Sequence, residues 1–145
     1  MFKHLLVPID GSATSQLAVE KAIGLARAFD SAVSVLFVID PYPFSGVGAD
    51  FSYGQMQYLG AAKAEANDAL AAARQAFETA GVRVNTALVE SHAVWRGIVE
   101  AAEAGGADLI VMGSHGRGGI EKLVLGSVAQ RVLAHAHLPV LVVRG

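Results

Sequence analysis

The stretch "VMGSHGRGGIEKLVLGSVAQRV", Val111 to Val132, carries glycine at Gly113, Gly116, Gly118, Gly119 and Gly126, followed by the hydroxyl of Ser127. Glycine adds no packing area and loses more chain entropy on ordering than any other residue. A cluster of it therefore marks tight turning or a close approach to the backbone. The cluster lies where an apolar run, "DLIVMG", gives way to a helical period that reaches about Ala136. What the turn is for depends on what the rest of the chain brings to it.

Working outward, the same alternation repeats. "KHLLVPI", Lys3 to Ile9, is a short apolar run closed by Asp10-Gly11-Ser12. Val19, Ala22, Ile23, Ala26 and Phe29 then recur at helical steps, with Ser12 placed to cap that helix. "AVSVLFVI", Ala32 to Ile39, is β-branched and aromatic almost throughout, the pattern of a strand covered on both faces. Asp40 to Gly54, with its prolines and glycines, reads as a long loop. From Met56 through Leu59, Lys63, Ala66, Leu70 and Ala73 to Phe77 runs the longest helix, closed by Gly81. Val82 to Val89 reads as a third strand and Trp95, Ile98, Val99 and Ala102 as a third helix ending near Gly105. "LPVLVVRG" is a fifth strand. Buried-type strands alternating with helices predict one α/β domain over residues 1–145, a doubly wound parallel sheet with helices on both faces. In such sheets ligands sit at the carboxyl ends of the strands, where strand order reverses. Three segments converge there: Asp10, Val38 to Asp40, and the glycine cluster.

Composition narrows the function classes. The 145 residues hold no cysteine, which removes disulfides, thiolate catalysis and cysteine-bound metals and fits a cytoplasmic setting. No apolar run approaches the roughly 20 residues of a membrane span, so no membrane insertion is expected. A formal charge of −2 argues against general nucleic-acid binding, with Arg117, Lys122 and Arg131 a local exception. A hydrophobic content of 53% suggests doubly buried strands or a self-associating surface.

Familiar phosphate loops fail on counting. Gly113 and Gly118 have Walker spacing, but Gly119 stands where lysine is needed. A dinucleotide fingerprint begun at Gly116 meets Glu121 where glycine is needed. Ser114 and His115 are adjacent without a nucleophile elbow, and His4, His92, His135 and His137 make no convincing metal set. Trp95, at helical spacing with Ile98 and Val99, reads as core. Tyr42, Phe44, Phe51, Tyr53 and Tyr58, in or just after the long loop, read as lid, partner surface or disordered segment.

The spacing that does fit is Gly113-x2-Gly116-x9-Gly126-Ser127. With "PIDGS" at the first turn and "LPVLVV" near the end, it resembles the nucleotide-binding branch of the universal stress protein family over essentially the whole chain. That resemblance implies an adenine nucleotide alpha hydrolase-like fold with strand order 3-2-1-4-5, ATP with Mg2+ as ligand, and a stress-linked regulatory or sensing role. It also implies that Pro8, Ile9 and Val38 line the adenine slot, that Asp10 lies near the ribose or the metal, and that Met112 and His115 flank the nucleotide. Gly113, Gly116, Gly126, Ser127 and Val128 match the phosphate-binding positions. Bare glycine amides and the start of a helix suit such an anion. Arg117 and Lys122 either reach phosphates or stand in solvent. The turn "VESHAVW" departs from the family, with Ser91-His92 where glycine is common. An apolar last strand at a sheet edge needs cover, so a homodimer through it is expected. Two rival readings are a slow ATPase in the same pocket and a nucleotide-independent module for an unidentified protein partner.

Overall fold

The apolar runs pair into one sheet whose order follows from the alternation of strand and helix. The computed structural model describes residues 1–41, 49–116 and 125–145, with side chains of the middle stretch from residue 53 onward. Its elements are β1 (His4–Ile9), α1 (Ala13–Phe29), β2 (Ala32–Ile39), α2 (Ala49–Thr79), β3 (Val84–Glu90), α3 (Val94–Ala104), β4 (Leu109–Gly113), α4 (Ser127–His135) and β5 (Val140–Val143). The five strands run parallel in the order β3-β2-β1-β4-β5. Strand order therefore reverses between β1 and β4, as the resemblance implies.

Side chains alternate across a strand, so the central strands feed two cores. Leu5, Val7 and Ile9 of β1 join Val33, Val35 and Phe37 of β2 beneath α1 and α2. Leu6, Leu36, Val38, Ile110 and Met112 point the other way, against Ile98 and Ala102 of α3 and Ala129 and Val132 of α4. This double burial is why β1, β2 and β4 read as continuous apolar runs. The α1 helix meets the sheet through small residues, Ser15, Ala18, Ala22 and Ala26, which let it lie close. Ser12 caps it as expected, its side chain accepting from the Ser15 amide at 3.2 Å.

One boundary departs clearly from the sequence reading. The expected loop up to Gly54 is helical from Ala49 onward, and α2 is 31 residues long, about 46 Å at 1.5 Å per residue. Beyond Pro43 nothing forbids a helix. Gly54 costs only about 1 kcal/mol relative to alanine. Among the described side chains burial is confined to the later turns, at Ala66, Leu70, Ala73 and Phe77, whereas Tyr53 and Met56 are exposed. Tyr42 and Phe44 lie outside the described residues, as does the Phe51 side chain. The third strand also begins two residues later than expected, at Val84.

At the amino ends of the strands, β1 and β4 are stapled. The Asp108 carboxylate accepts from the Lys3 amide at 2.9 Å and the His4 amide at 3.1 Å, and the Asp108 amide donates to the His4 carbonyl. Partial burial pushes this carboxyl upward, but the amide hydrogen bonds outweigh it and hold it below the ordinary aspartate value. The His4 ring adds a second tie, Nδ1 donating to the Gly105 carbonyl and Nε2 paired with the Ser34 hydroxyl at 2.7 Å. At the opposite end the strands part. Pairing of β1 with β4 runs only through Leu5↔Leu109 and Leu6↔Ile110, although β4 continues to Gly113. Pro8 has no N–H with which to extend the ladder.

Candidate functional site

The gap between β1 and β4 opens at their carboxyl ends into a crevice. Three short segments build it. The first is the turn Asp10-Gly11-Ser12: the Ser12 amide donates to Asp10 Oδ1 at 2.9 Å, and Gly11 takes a left-handed φ of 82° that favours glycine. This turn leaves Asp10 Oδ2 facing Gly116 on the β4 exit. The second is the exit of β4, where the Ser114 amide extends the ladder to the Val143 carbonyl at 2.8 Å. The third is the start of α4, tied back by the Gly126 amide donating to the Ser114 carbonyl at 2.7 Å.

The sequence-predicted residues distribute over this frame as follows. Pro8, Ile9 and Asp10 form one wall of the crevice; Met112, Gly113, His115 and Gly116 form the opposite one; Gly126 and Val128 close it from the α4 side. Val38 lines a neighbouring cleft of about 240 Å³ with Asp40 and Tyr58, which meets the crevice at Asp10 and Val94. Ser127 is the first residue of α4, exposed and outside the crevice lining. Arg117 and Lys122 lie outside the described residues. The sequence reading missed Val94 and Ile98 of α3, which supply apolar wall, and Ser114, which is fully buried with its hydroxyl 3.0 Å from His115 Nδ1. Nothing in their local pattern separates Val94 and Ile98 from ordinary core.

The missing side chains of Gly113, Gly116 and Gly126 face protein atoms. A Cβ on Gly113 would stand 2.8 Å from Thr14 Oγ1, one on Gly116 2.6 Å from Asp10 Oδ2, and one on Gly126 3.1 Å from the Ser114 carbonyl oxygen. None of the three has a left-handed φ. Gly113 and Gly116 let β4 and its exit turn lie flush against the first turn of the chain and the start of α1, and Gly126 lets α4 begin close against that exit turn. The space that results is narrow, about 70 Å³.

The crevice is apolar on its α3 side and polar at its floor. Gly126 caps α4 with no side-chain hydrogen bond, so no side chain at the cap takes up the first amides of that helix. Such a helix start favours an anion. Among the described residues no group of three or more histidines, cysteines or acids is arranged to hold a metal. Away from the crevice, Trp95 is only partly buried and stacks on His135, centroids 4.2 Å apart, with the Arg96 guanidinium 5.3 Å from the indole. This pairing ties α3 to α4, and the half-buried tryptophan also packs against the core on that face, as its helical spacing predicts. His137 follows α4 rather than belonging to it.

A doubly wound α/β domain with its crevice at the β1/β4 switch point defines a class of ligand-binding folds. A sequence profile described as the universal stress protein family matches residues 1–144. The chain is 41% identical over 144 residues to a universal stress protein of Methanocaldococcus jannaschii, covering 99% of this chain and 83% of that one. Among solved structures, a universal stress protein UspA from Lactobacillus plantarum superposes with a TM-score of 0.88 at 26% identity, covering 99% and 98% of the two chains. A universal stress protein solved in complex with cAMP superposes with a TM-score of 0.73 at 25% identity, covering 99% and 97%. This chain belongs to the universal stress protein family. No helix among the described residues is long and apolar enough to cross a membrane.

Proposed function

We infer that the crevice binds an adenine nucleotide, ATP together with Mg2+, and that the chain works as a cytoplasmic regulatory or sensing module of the stress response. The observation that carries this reading is the meeting, at the mouth of the parted strands, of an α4 start without a side-chain cap and an apolar wall from Ile98, Met112 and Val128. The first suits phosphate, the second an apolar part of the same ligand. On this reading the phosphates would enter the narrow crevice, and base and sugar would extend into the wider cleft beside Val38 and Tyr58. The relative solved with cAMP supports an adenine ligand for a domain of this shape.

The donor set also fits the metal in a limited sense. Mg2+ keeps several waters and takes one or two carboxylates plus phosphate oxygens. Asp10 is the carboxylate that lines the crevice, and it would hold the ion jointly with the nucleotide. When bound, the ion would neutralise phosphate charge. The residues of the chain would do the rest: Asp10 orients, the amides of the β4 exit and α4 hold the anion, and the α3 side excludes water.

The edge strand β5 pairs only with β4 among the described residues and leaves Leu141 40% exposed. Pairing with β5 of a second copy would cover it, which supports a homodimer. The decisive experiment is to denature purified protein and identify any released nucleotide by mass, then titrate nucleotide-free protein with ATP and Mg2+. Micromolar binding is expected. A crevice still empty at millimolar ATP would refute the reading and favour a protein-interaction module.

A further inference from the structure

We propose that Thr14 is a positioning residue for the phosphate-binding turn: its hydroxyl grips the His115 carbonyl and so aims the N–H of Gly116, in the same peptide unit, into the crevice. The proposal rests on the nucleotide reading given above. Thr14 lies in the first turn of α1, two residues after the cap, yet its hydroxyl donates to a backbone carbonyl 101 positions away, that of His115. No cis peptide occurs among the described residues. In a trans peptide unit the C=O and N–H point in opposite directions. Fixing the His115 carbonyl toward Thr14 therefore turns the Gly116 amide away from α1, and Gly116 lines the crevice.

The threonine is itself held on every side. Its Oγ1 would be 2.8 Å from a Cβ on Gly113, and its Cγ2 3.2 Å from one on Gly145. The hydroxyl thus faces the β4 exit while the methyl faces the end of the chain. Ser12 Oγ lies 3.3 Å from Thr14 Oγ1. Because the Thr14 proton is committed to His115, Ser12 is the donor in that contact. A relay results, from the α1 cap through Thr14 to the turn. It matters because Gly116, lacking Cβ, offers little resistance to rotation of the peptide before it. Without the hydroxyl, that peptide is free to flip and present its carbonyl to the anion.

The test compares Thr14→Val, which keeps both branches but not the donor, with Thr14→Ser, which keeps the donor. The full-length chain is titrated with Mg-ATP and, separately, with adenosine, which has no phosphate. Thr14→Val should bind ATP about tenfold more weakly, the net worth of one hydrogen bond, and adenosine within about twofold of the parent. Thr14→Ser should restore ATP binding to within about threefold. Should Thr14→Val fail to fold, Thr14→Ala and Thr14→Ser make the same comparison. Parallel losses for ATP and adenosine, or Ser behaving like Val, would reduce Thr14 to a packing residue and overturn the proposal. Unchanged ATP binding in Thr14→Val would sink this inference alone. A parent protein that binds no ATP would sink it together with the nucleotide reading.

Discussion

Substituting Gly116 by alanine tests the geometry of the crevice at its tightest point. The new Cβ would lie 2.6 Å from Asp10 Oδ2, with Asp10 Cγ, at 3.9 Å, the one other atom within 4 Å among the described residues. A carbon–oxygen contact settles at about 3.3 Å, so the carboxylate must retreat by about 0.7 Å. The same carboxylate receives the Ser12 amide at 2.9 Å on Oδ1, and its retreat strains that bond. A hydrogen bond to a charged group is worth about 1.5–3 kcal/mol net; losing most of one predicts a cost of about 1–2 kcal/mol, or a melting point lowered by about 3–7 °C in a domain of this size. The backbone at Gly116 is not left-handed, so no conformational penalty adds to this. Thermal unfolding of a double-mutant cycle isolates the contact. In an Asp10→Ala background, Gly116→Ala should cost no more than about 0.5 kcal/mol. Equal costs in both backgrounds would show that the clash is not with Asp10 and would refute the reasoning.

Three further outcomes follow from the same structure. Gly24→Ala, in the interior of α1 with nothing within 4 Å of the added Cβ, should stabilise the protein by about 0.5–1 kcal/mol, read as a higher denaturant midpoint with unchanged slope. Asp108→Asn should cost stability at neutral pH by an amount that shrinks in acid. Because the folded carboxyl is held below its ordinary value, its contribution is complete above about pH 4 and disappears as pH falls through the lower folded value. Urea melts at pH 7, 5, 4 and 3 measure this, and a difference that grew in acid would contradict the assigned direction. Val142→Asp should weaken the homodimer proposed through β5, and sedimentation showing an intact dimer would exclude that edge.

Much of this architecture is legible in the sequence because the cause is local. Strands buried on both faces have no choice but continuous apolar runs, and "AVSVLFVI" coincides with β2 residue for residue. The Asp10-Gly11-Ser12 turn is equally plain, since cap chemistry is encoded in adjacent residues. What could not be read depends on distant partners. The start of α2 is hidden by Gly54 and by Tyr53 and Met56, exposed residues that contribute no core-facing period. The packing role of Gly113 and Gly116 requires knowing that Thr14 and Asp10 lie across from them, about a hundred positions earlier in the chain. The spacing of those glycines marks the site; it does not reveal what they touch.

The short pairing between β1 and β4 makes the sheet a pair of tongs. Asp108 and His4 are the rivet at one end; the crevice is the gap between the jaws at the other. The seam between the two strands is thus held at the end remote from the crevice, and removing the Asp108 carboxylate should loosen it there, from the far side of the domain.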